Sequence, residues 1–200
     1  MMGAERVGIL AVQGAFAEHE RMLSELGVEC IELRQASDLH KGFDRLVLPG
    51  GESTAQGRML RELGMLEPLR DMIEAGMPTF GTCAGLILMA ERIDGINGDG
   101  SAVDSQHNAT WLGTLPVTVR RNAYGRQLGS FRTRADFDDA GAIPMTFIRA
   151  PFVVETRDGC DVLARVDGNI VGVRWRNQIG TSFHPELDED ARVHRMFLSL

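Results

Sequence analysis

The stretch PTFGTCAGLILM, residues 78–89, decides the fold. An extended apolar run stops at Cys83, which is framed by Gly81 and Gly85, and a strongly apolar helical pattern begins at once. Gly-x-Cys-x-Gly at a strand-to-helix junction has the form of a nucleophile elbow, with sulfur in place of a hydroxyl. Such a turn holds the nucleophile exposed in strained backbone geometry, and flanking glycines remove side chains that would clash. The helix opening at Ala84 points its unpaired N–H groups and positive dipole end toward the sulfur. Thiolate is the attacking form of cysteine. The N–H of Ala84, next after the nucleophile, is placed to bind an oxyanion. Without the glycine frame, Cys83 reads as a buried structural cysteine.

Outward from the elbow, strands and helices alternate. RVGILAVQG (6–14) reads as a buried strand closed by glycine, and AFAEHERMLSEL (15–26) as a helix stopped at Gly27. VECIELR, FDRLVLPGG and MPTFGTC are three further strands, with helical segments between residues 53 and 76 and a helix over AGLILMAERI (84–93). Alternation of this kind implies crossover units and a parallel sheet covered on both faces. Residues 94–113, rich in Gly, Asp, Ser and Asn, read as one long loop. Strands dominate afterwards: TLPVTVRRN, LGSFRTRAD, MTFIRAPFVVE, DVLARVDG, NIVGVRWRN and QIGTSFHPE. Asp167-Gly168 between alternating runs signals a hairpin. DEDARVHRMFLSL closes the chain as a helix with acids in its first turn. The expected fold is α/β: a single domain, 1–200, with a mixed, mostly parallel sheet flanked by helices.

Composition narrows the function classes. A net charge of -7 argues against nucleic acid as partner. No apolar run reaches the roughly 20 residues of a membrane span, and residues 1–14 lack the features of a signal peptide. Three widely spaced cysteines, with no paired Cys or Cys/His spacing, imply no metal site and a reducing, cytoplasmic setting with free thiols. Lys41 is the only lysine and sits in a polar segment, a poor start for Schiff-base chemistry. No cofactor is expected.

A thiolate attacking a carbonyl needs a proton carrier. His19 and His194 fall on helices that read as amphipathic, which places them at the surface; His40 and His107 fall in polar loops. His184 differs. It ends a strand and precedes Pro185, which favours extended geometry. Residues two apart in an extended chain face one way, so Glu186 should lie beside the imidazole and fix its tautomer. Cys, His and Glu at the ends of separate strands suit an α/β sheet, whose sites gather at the carboxyl ends.

LPGGEST, residues 48–54, also joins a strand to a helix and lacks the Gly-Lys-Ser/Thr of a phosphate loop. Its consecutive glycines let backbone N–H groups converge on an oxyanion. Gly51 is the candidate second donor and Glu52 a candidate partner for a substrate ammonium. The plain alternative is a turn with Ser53 as helix N-cap.

Together Gly-x-Cys-x-Gly, Pro-Gly-Gly-Glu-Ser and the late His-Pro-Glu resemble the class I, triad-type glutamine amidotransferases, a flavodoxin-like fold. Within them the chain most resembles the glutaminase subunits of pyridoxal 5'-phosphate synthase, through GILAVQGAFAEHE, LPGGEST, FGTCAGLILMA, RNAYGRQ, FIRAP and SFHPEL. The resemblance implies hydrolysis of L-glutamine to L-glutamate and ammonia. The ammonia passes to a (β/α)8-barrel synthase subunit in a large hetero-oligomer, for vitamin B6 biosynthesis. It implies Cys83 as nucleophile, with His184 and Glu186 completing the triad. Gly51, Glu52, Ser53, Arg121, Ile148 and Arg149 would hold glutamine, and Gln13 would lie near the site and the partner contact. Residues 94–113 are longer and more polar than the family leads one to expect. Rivals are a glutaminase serving another synthase, such as that of imidazole glycerol phosphate, a cysteine hydrolase of related elbow fold, or a non-catalytic module. Losing one oxyanion donor costs ~100- to 1,000-fold in rate. A partner that reorients a peptide in the Gly50-Gly51 loop would therefore act as a switch, and the isolated subunit is expected to be nearly silent.

Overall fold

The computed structural model describes residues 5–95, 109–122 and 130–200. Five strands come first: β1 (Arg6–Leu10), β2 (Glu29–Leu33), β3 (Arg45–Leu48), β4 (Thr79–Thr82) and β5 (Ala90–Ile93). Four helices run among them: α1 (Phe16–Glu25), α2 (Ser53–Glu62), α3 (Leu66–Glu74) and α4 (Ala84–Met89). β6 (Leu115–Arg120), β7 (Ser130–Asp136), β8 (Ala142–Ile148), β9 (Phe152–Thr156), β10 (Asp161–Val166), β11 (Asn169–Trp175) and β12 (Gln178–Thr181) follow, then α5 (Arg192–Leu198).

Ten of the described strands form one mixed sheet in the order β2-β1-β3-β4-β12-β11-β9-β6-β5, with β10 alongside β11. From β2 to β12 the pairing is parallel, and the β5–β6 edge is parallel too. β12, β11, β9 and β6 pair antiparallel. The parallel half is the part whose sequence alternates strand with helix, because a parallel neighbour needs a crossover. β7 and β8 make a separate antiparallel ribbon. Asp167 and Gly168, both at positive φ, turn β10 into β11 as the Asp-Gly pair predicts.

Alternate residues of the inner strands feed two cores. Leu46 and Leu48 of β3 face a core closed by α2, α3 and α4 through Leu60, Leu69 and Leu86. Val47, with Val7, Ile9 and Phe80, faces the other, closed by Leu23 of α1, Val193 and Phe197 of α5, and Met145 and Phe147 of the ribbon. Burying each such side chain contributes roughly 1.5–3 kcal/mol, so both faces must be covered.

Four expectations need correction. The helix read over residues 84–93 ends at Met89, and Ala90–Ile93 is an edge strand on β6. All six residues of α4 are buried, so no polar face marks where it stops. The run MTFIRAPFVVE is two strands, broken where Arg149 adopts φ 44° ahead of Pro151. The last helix starts at Arg192 and has no acid in its first turn; Asp190 lies before it and accepts from the Arg192 N–H at 3.1 Å. The strand read through His184 ends at Thr181, and Pro185–Leu187 is a 3-10 turn, a place where proline's missing N–H costs nothing. Most of the predicted long loop, residues 96–108, and residues 123–127 of RNAYGRQ lie outside the described residues.

Candidate active site

The elbow forms where β4 runs into α4. Cys83 is held at φ 49°, ψ -98°, a conformation that a side-chain-bearing residue adopts only when its surroundings impose it. Those surroundings are backbone. The Cys83 N–H donates to Thr181 O of β12 at 2.7 Å, and the Cys83 carbonyl accepts the Ile87 N–H at 3.2 Å. Gly85 lets α4 lie directly on β3, since a Cβ there would stand 2.0 Å from the Leu48 carbonyl oxygen. The Sγ lies 3.9 Å from the Ile148 carbonyl oxygen, and Cys83 and His184 border the same cleft. Burial pushes the thiols of Cys30 and Cys160 up to about 11, which leaves both protonated.

His184 leaves β12 with its N–H tied to Thr146 O of β8 at 2.8 Å. Its Nδ1 lies 2.7 Å from Glu186 Oε1. The meeting predicted for an extended chain thus occurs across a 3-10 turn instead. Burial works against a charged His184, but hydrogen bonds and charge from Cys83 and Glu186 outweigh it and raise its pKa to about 10. Burial likewise opposes the Glu186 carboxylate, and His19 and His184 overcome it, holding the group below the usual range.

The Gly50-Gly51 loop faces this pair. A Cβ on Gly50 would stand 2.2 Å from His184 Cε1, so only glycine admits the ring. The Gly50 carbonyl accepts the Ala15 N–H at 3.0 Å, and Gln13 Oε1 accepts the Glu52 N–H at 2.9 Å. Gln56 Nε2 ties in Gln13 O at 2.9 Å and Pro49 O at 3.2 Å. Glu52, rather than Ser53, is the N-cap of α2, its carboxylate accepting from Thr54 N and Ala55 N. Burial opposes its charge, but those two N–H groups and Arg121 prevail and lower its pKa. Arg121 is buried and reaches Thr54 Oγ1 and Glu52 Oε1, both at 3.3 Å. The Ser53 hydroxyl is buried and has no hydrogen-bond partner among the described residues.

These groups line one cleft of about 450 Å³, within the usual range for small-molecule sites. Gln13, Gly51, Glu52, Ser53, Cys83, Arg121, Ile148, Arg149 and His184 all border it. Ala84 lies buried behind Cys83, and Glu186 is fully buried behind His184. A second cleft of about 330 Å³, beside Trp175 and Asn177, contains none of the predicted residues.

The sequence profile of the SNO glutamine amidotransferase family matches residues 9–200. The chain belongs to that family. It is 57% identical over 193 residues to pyridoxal 5'-phosphate synthase subunit PdxT of Desulfitobacterium hafniense strain Y51, covering 96% of this chain and 92% of the relative. To the subunit of the same name from Methanocorpusculum labreanum it is 52% identical over 195 residues, 98% of this chain and 97% of the relative. A solved glutamine amidotransferase superposes with TM-score 0.86 at 41% identity, covering 96% of this chain and 97% of that one.

One part of this candidate site was not legible in the sequence. His19 and His194 are not at the surface; both are fully buried. His19 Nε2 lies 3.4 Å from Glu186 Oε2, and His19 Nδ1 lies 3.0 Å from His194 Nε2. A signal was available: His19 shares the inward stripe of α1 with Met22 and Leu23, three and four residues on.

Proposed function

We propose that the chain is the glutaminase subunit of a pyridoxal 5'-phosphate synthase, hydrolysing L-glutamine to L-glutamate and ammonia that a synthase subunit consumes for vitamin B6 synthesis. The observation that carries this reading is the strained Cys83 sharing one cleft with His184, whose imidazole Glu186 orients at 2.7 Å. Family membership supplies the substrate class.

In this reading glutamine enters with its side-chain carbonyl against Cys83 and its amino-acid end among Glu52, Ser53, Arg121, Ile148 and Arg149. Cys83 attacks the carbonyl carbon, and the amide N–H groups of Ala84 and Gly51 receive the oxyanion. His184 gives a proton to the departing nitrogen, the C–N bond breaks and ammonia leaves. Water then attacks the γ-glutamyl thioester with His184 as base, releasing glutamate and restoring the thiol. Glu186 holds the imidazole in the tautomer both steps require.

The Gly50 carbonyl is tied to the loop that carries Gln13. That tie supports a switch in which the partner acts on this loop and so sets the orientation of the Gly50-Gly51 peptide. The proposal extends to a (β/α)8-barrel partner in a large hetero-oligomer, to action of residues 1–200 as one domain, and to a cytoplasmic setting. The last is supported by three free cysteines and by the absence, among the described residues, of a helix long and apolar enough to cross a membrane.

The deciding measurement is glutamate release from glutamine, with and without the synthase subunit, for wild type and Cys83→Ala. Wild type should turn over chiefly in the complex, and the variant not at all. Equal turnover by both in the complex would refute the assignment.

A further inference from the structure

Behind Glu186 the core holds two histidines that no step above uses. His19 sits near the start of α1, a few residues after the loop that ties the Gly50 carbonyl, and His194 sits in α5. Phe80 presents T-shaped contacts to both rings, at 5.8 and 5.5 Å between centroids. The pair therefore stands in an apolar enclosure, yet it touches the most deeply buried carboxylate of the site.

The contacts select one arrangement of protons. His19 Nε2 lies 3.1 Å from Thr82 Oγ1 and 3.4 Å from Glu186 Oε2. In the resting structure Thr82 Oγ1 is the hydrogen-bond partner of Nε2, and Oε2 has no hydrogen-bond partner among the described residues. Catalytic contacts of resting enzymes are often longer than in the working complex, and Nε2 is the group placed to close on Oε2. An ionised carboxylate only accepts, so the proton belongs on His19 Nε2. His19 Nδ1 is then an acceptor, and His194 Nε2 must donate to it across 3.0 Å. That leaves His194 Nδ1 as a bare lone pair, and this is the ring nitrogen with no partner among the described residues. The opposite arrangement fails twice. It turns a lone pair toward the Glu186 carboxylate, and it strands a buried N–H on His194, which is the costlier group to leave unpaired.

We propose that His19, backed by His194, is a positioning residue for the glutaminase reaction: a neutral imidazole that donates Nε2–H to the second oxygen of Glu186 and so keeps the first oxygen aimed at His184. This rests on the reading of Cys83, His184 and Glu186 as the reacting triad. Burial keeps both rings uncharged, pulling His19 below the usual range against the attraction of Glu186 and pushing His194 down to about 3. The charged or titrating groups facing His19 are Glu186 and His184 from the 3-10 turn side, Glu18 on its own helix and His194 from α5. A neutral donor fits this role because it orients the carboxylate without cancelling the negative charge that supports the His184 imidazolium.

The test has two arms. In the wild-type chain labelled with 15N in its histidine rings, long-range 1H–15N correlations report each tautomer, with His19→Gln and His194→Gln assigning the signals. Both rings should carry their proton on Nε2 near neutral pH; a proton on His19 Nδ1, or a charged His19, overturns the proposal whatever the variants do. In the complex with the synthase subunit, His19→Ala should lower kcat on the order of 10- to 100-fold, the loss expected for one hydrogen bond to a charged group. KM should hardly change, and the acidic limb of the kcat/KM profile should move. His19→Gln, whose amide N–H can reach Glu186, should recover most of the rate. Wild-type kinetics in His19→Ala, or equal losses in the Ala and Gln variants, overturn the positioning role. Cys83→Ala and Glu186→Ala in the same assay separate the two levels. If they remain active the triad reading has failed, and if they are dead while His19→Ala is unaffected only the positioning role has.

Discussion

The His184 imidazole lies directly over the α-carbon of Gly50, so close that a β-carbon there would stand 2.2 Å from Cε1 and 2.8 Å from Nδ1. The ring cannot yield easily, because Nδ1 is held at 2.7 Å by Glu186 and the His184 N–H is bound to Thr146 O. Gly50 is therefore a geometric condition on the place of His184, separate from any role of its peptide in holding an oxyanion. Gly50→Ala should reduce kcat about 100-fold, the usual consequence of displacing a catalytic group by about 1 Å. Glutaminase kinetics in the complex, beside a thermal melt showing the fold retained, check this.

Gly85 makes the opposite prediction. Its missing side chain lets α4 rest on the Leu48 carbonyl oxygen, and backbone on both sides leaves nothing flexible to give way. Gly85→Ala should destabilise the fold by roughly 2–3 kcal/mol, as overpacking does, with a lower urea midpoint as the readout. An unchanged midpoint would mean that α4 and β3 can separate without cost.

Stability should fall on the alkaline side through His184. The group titrates at about 10 when folded, against an ordinary value of 6.5. Its contribution is complete below pH 6.5, where both states hold the proton. It declines as pH rises toward 10, because the unfolded chain has already released its proton. Denaturant unfolding of wild type and His184→Gln between pH 6.5 and 10 should show the wild-type advantage shrinking with pH. Comparison with the variant cancels the titration of Cys30 and Cys160, whose thiols do not act on His184.

On the acid side the sign reverses for His194. Burial holds it near 3 when folded, so between pH 6.5 and 3 the unfolded chain takes up a proton that the folded chain refuses. Stability is lost as pH falls through that window. His194→Gln removes this titration, so its unfolding free energy should fall less steeply than wild type's between pH 6.5 and 4. Parallel profiles would show that His194 is not buried as a neutral ring.

The grouping of the candidate site residues was largely readable in the chain because its decisive features are local. Gly81, Cys83 and Gly85 span five residues, His184 and Glu186 three, and Gly50 to Ser53 four. Within such distances backbone geometry is set by residue type: glycine where a close approach is needed, proline where a turn starts. The parallel half of the sheet was legible for a similar reason, since hydrophobic strands alternate there with helices. Tertiary structure alone decided where α4 ends, because a helix buried all round carries no polar face to mark its length. It also decided the break at Arg149, which follows from β8 pairing with β7 while β9 pairs with β6 and β11. Above all it decided the place of His19 and His194. They are 175 residues apart and meet only because α1 and α5 cover the same face of the sheet. A histidine on a helical stripe reads as surface or core according to what packs over it, and that is a property of the assembled fold.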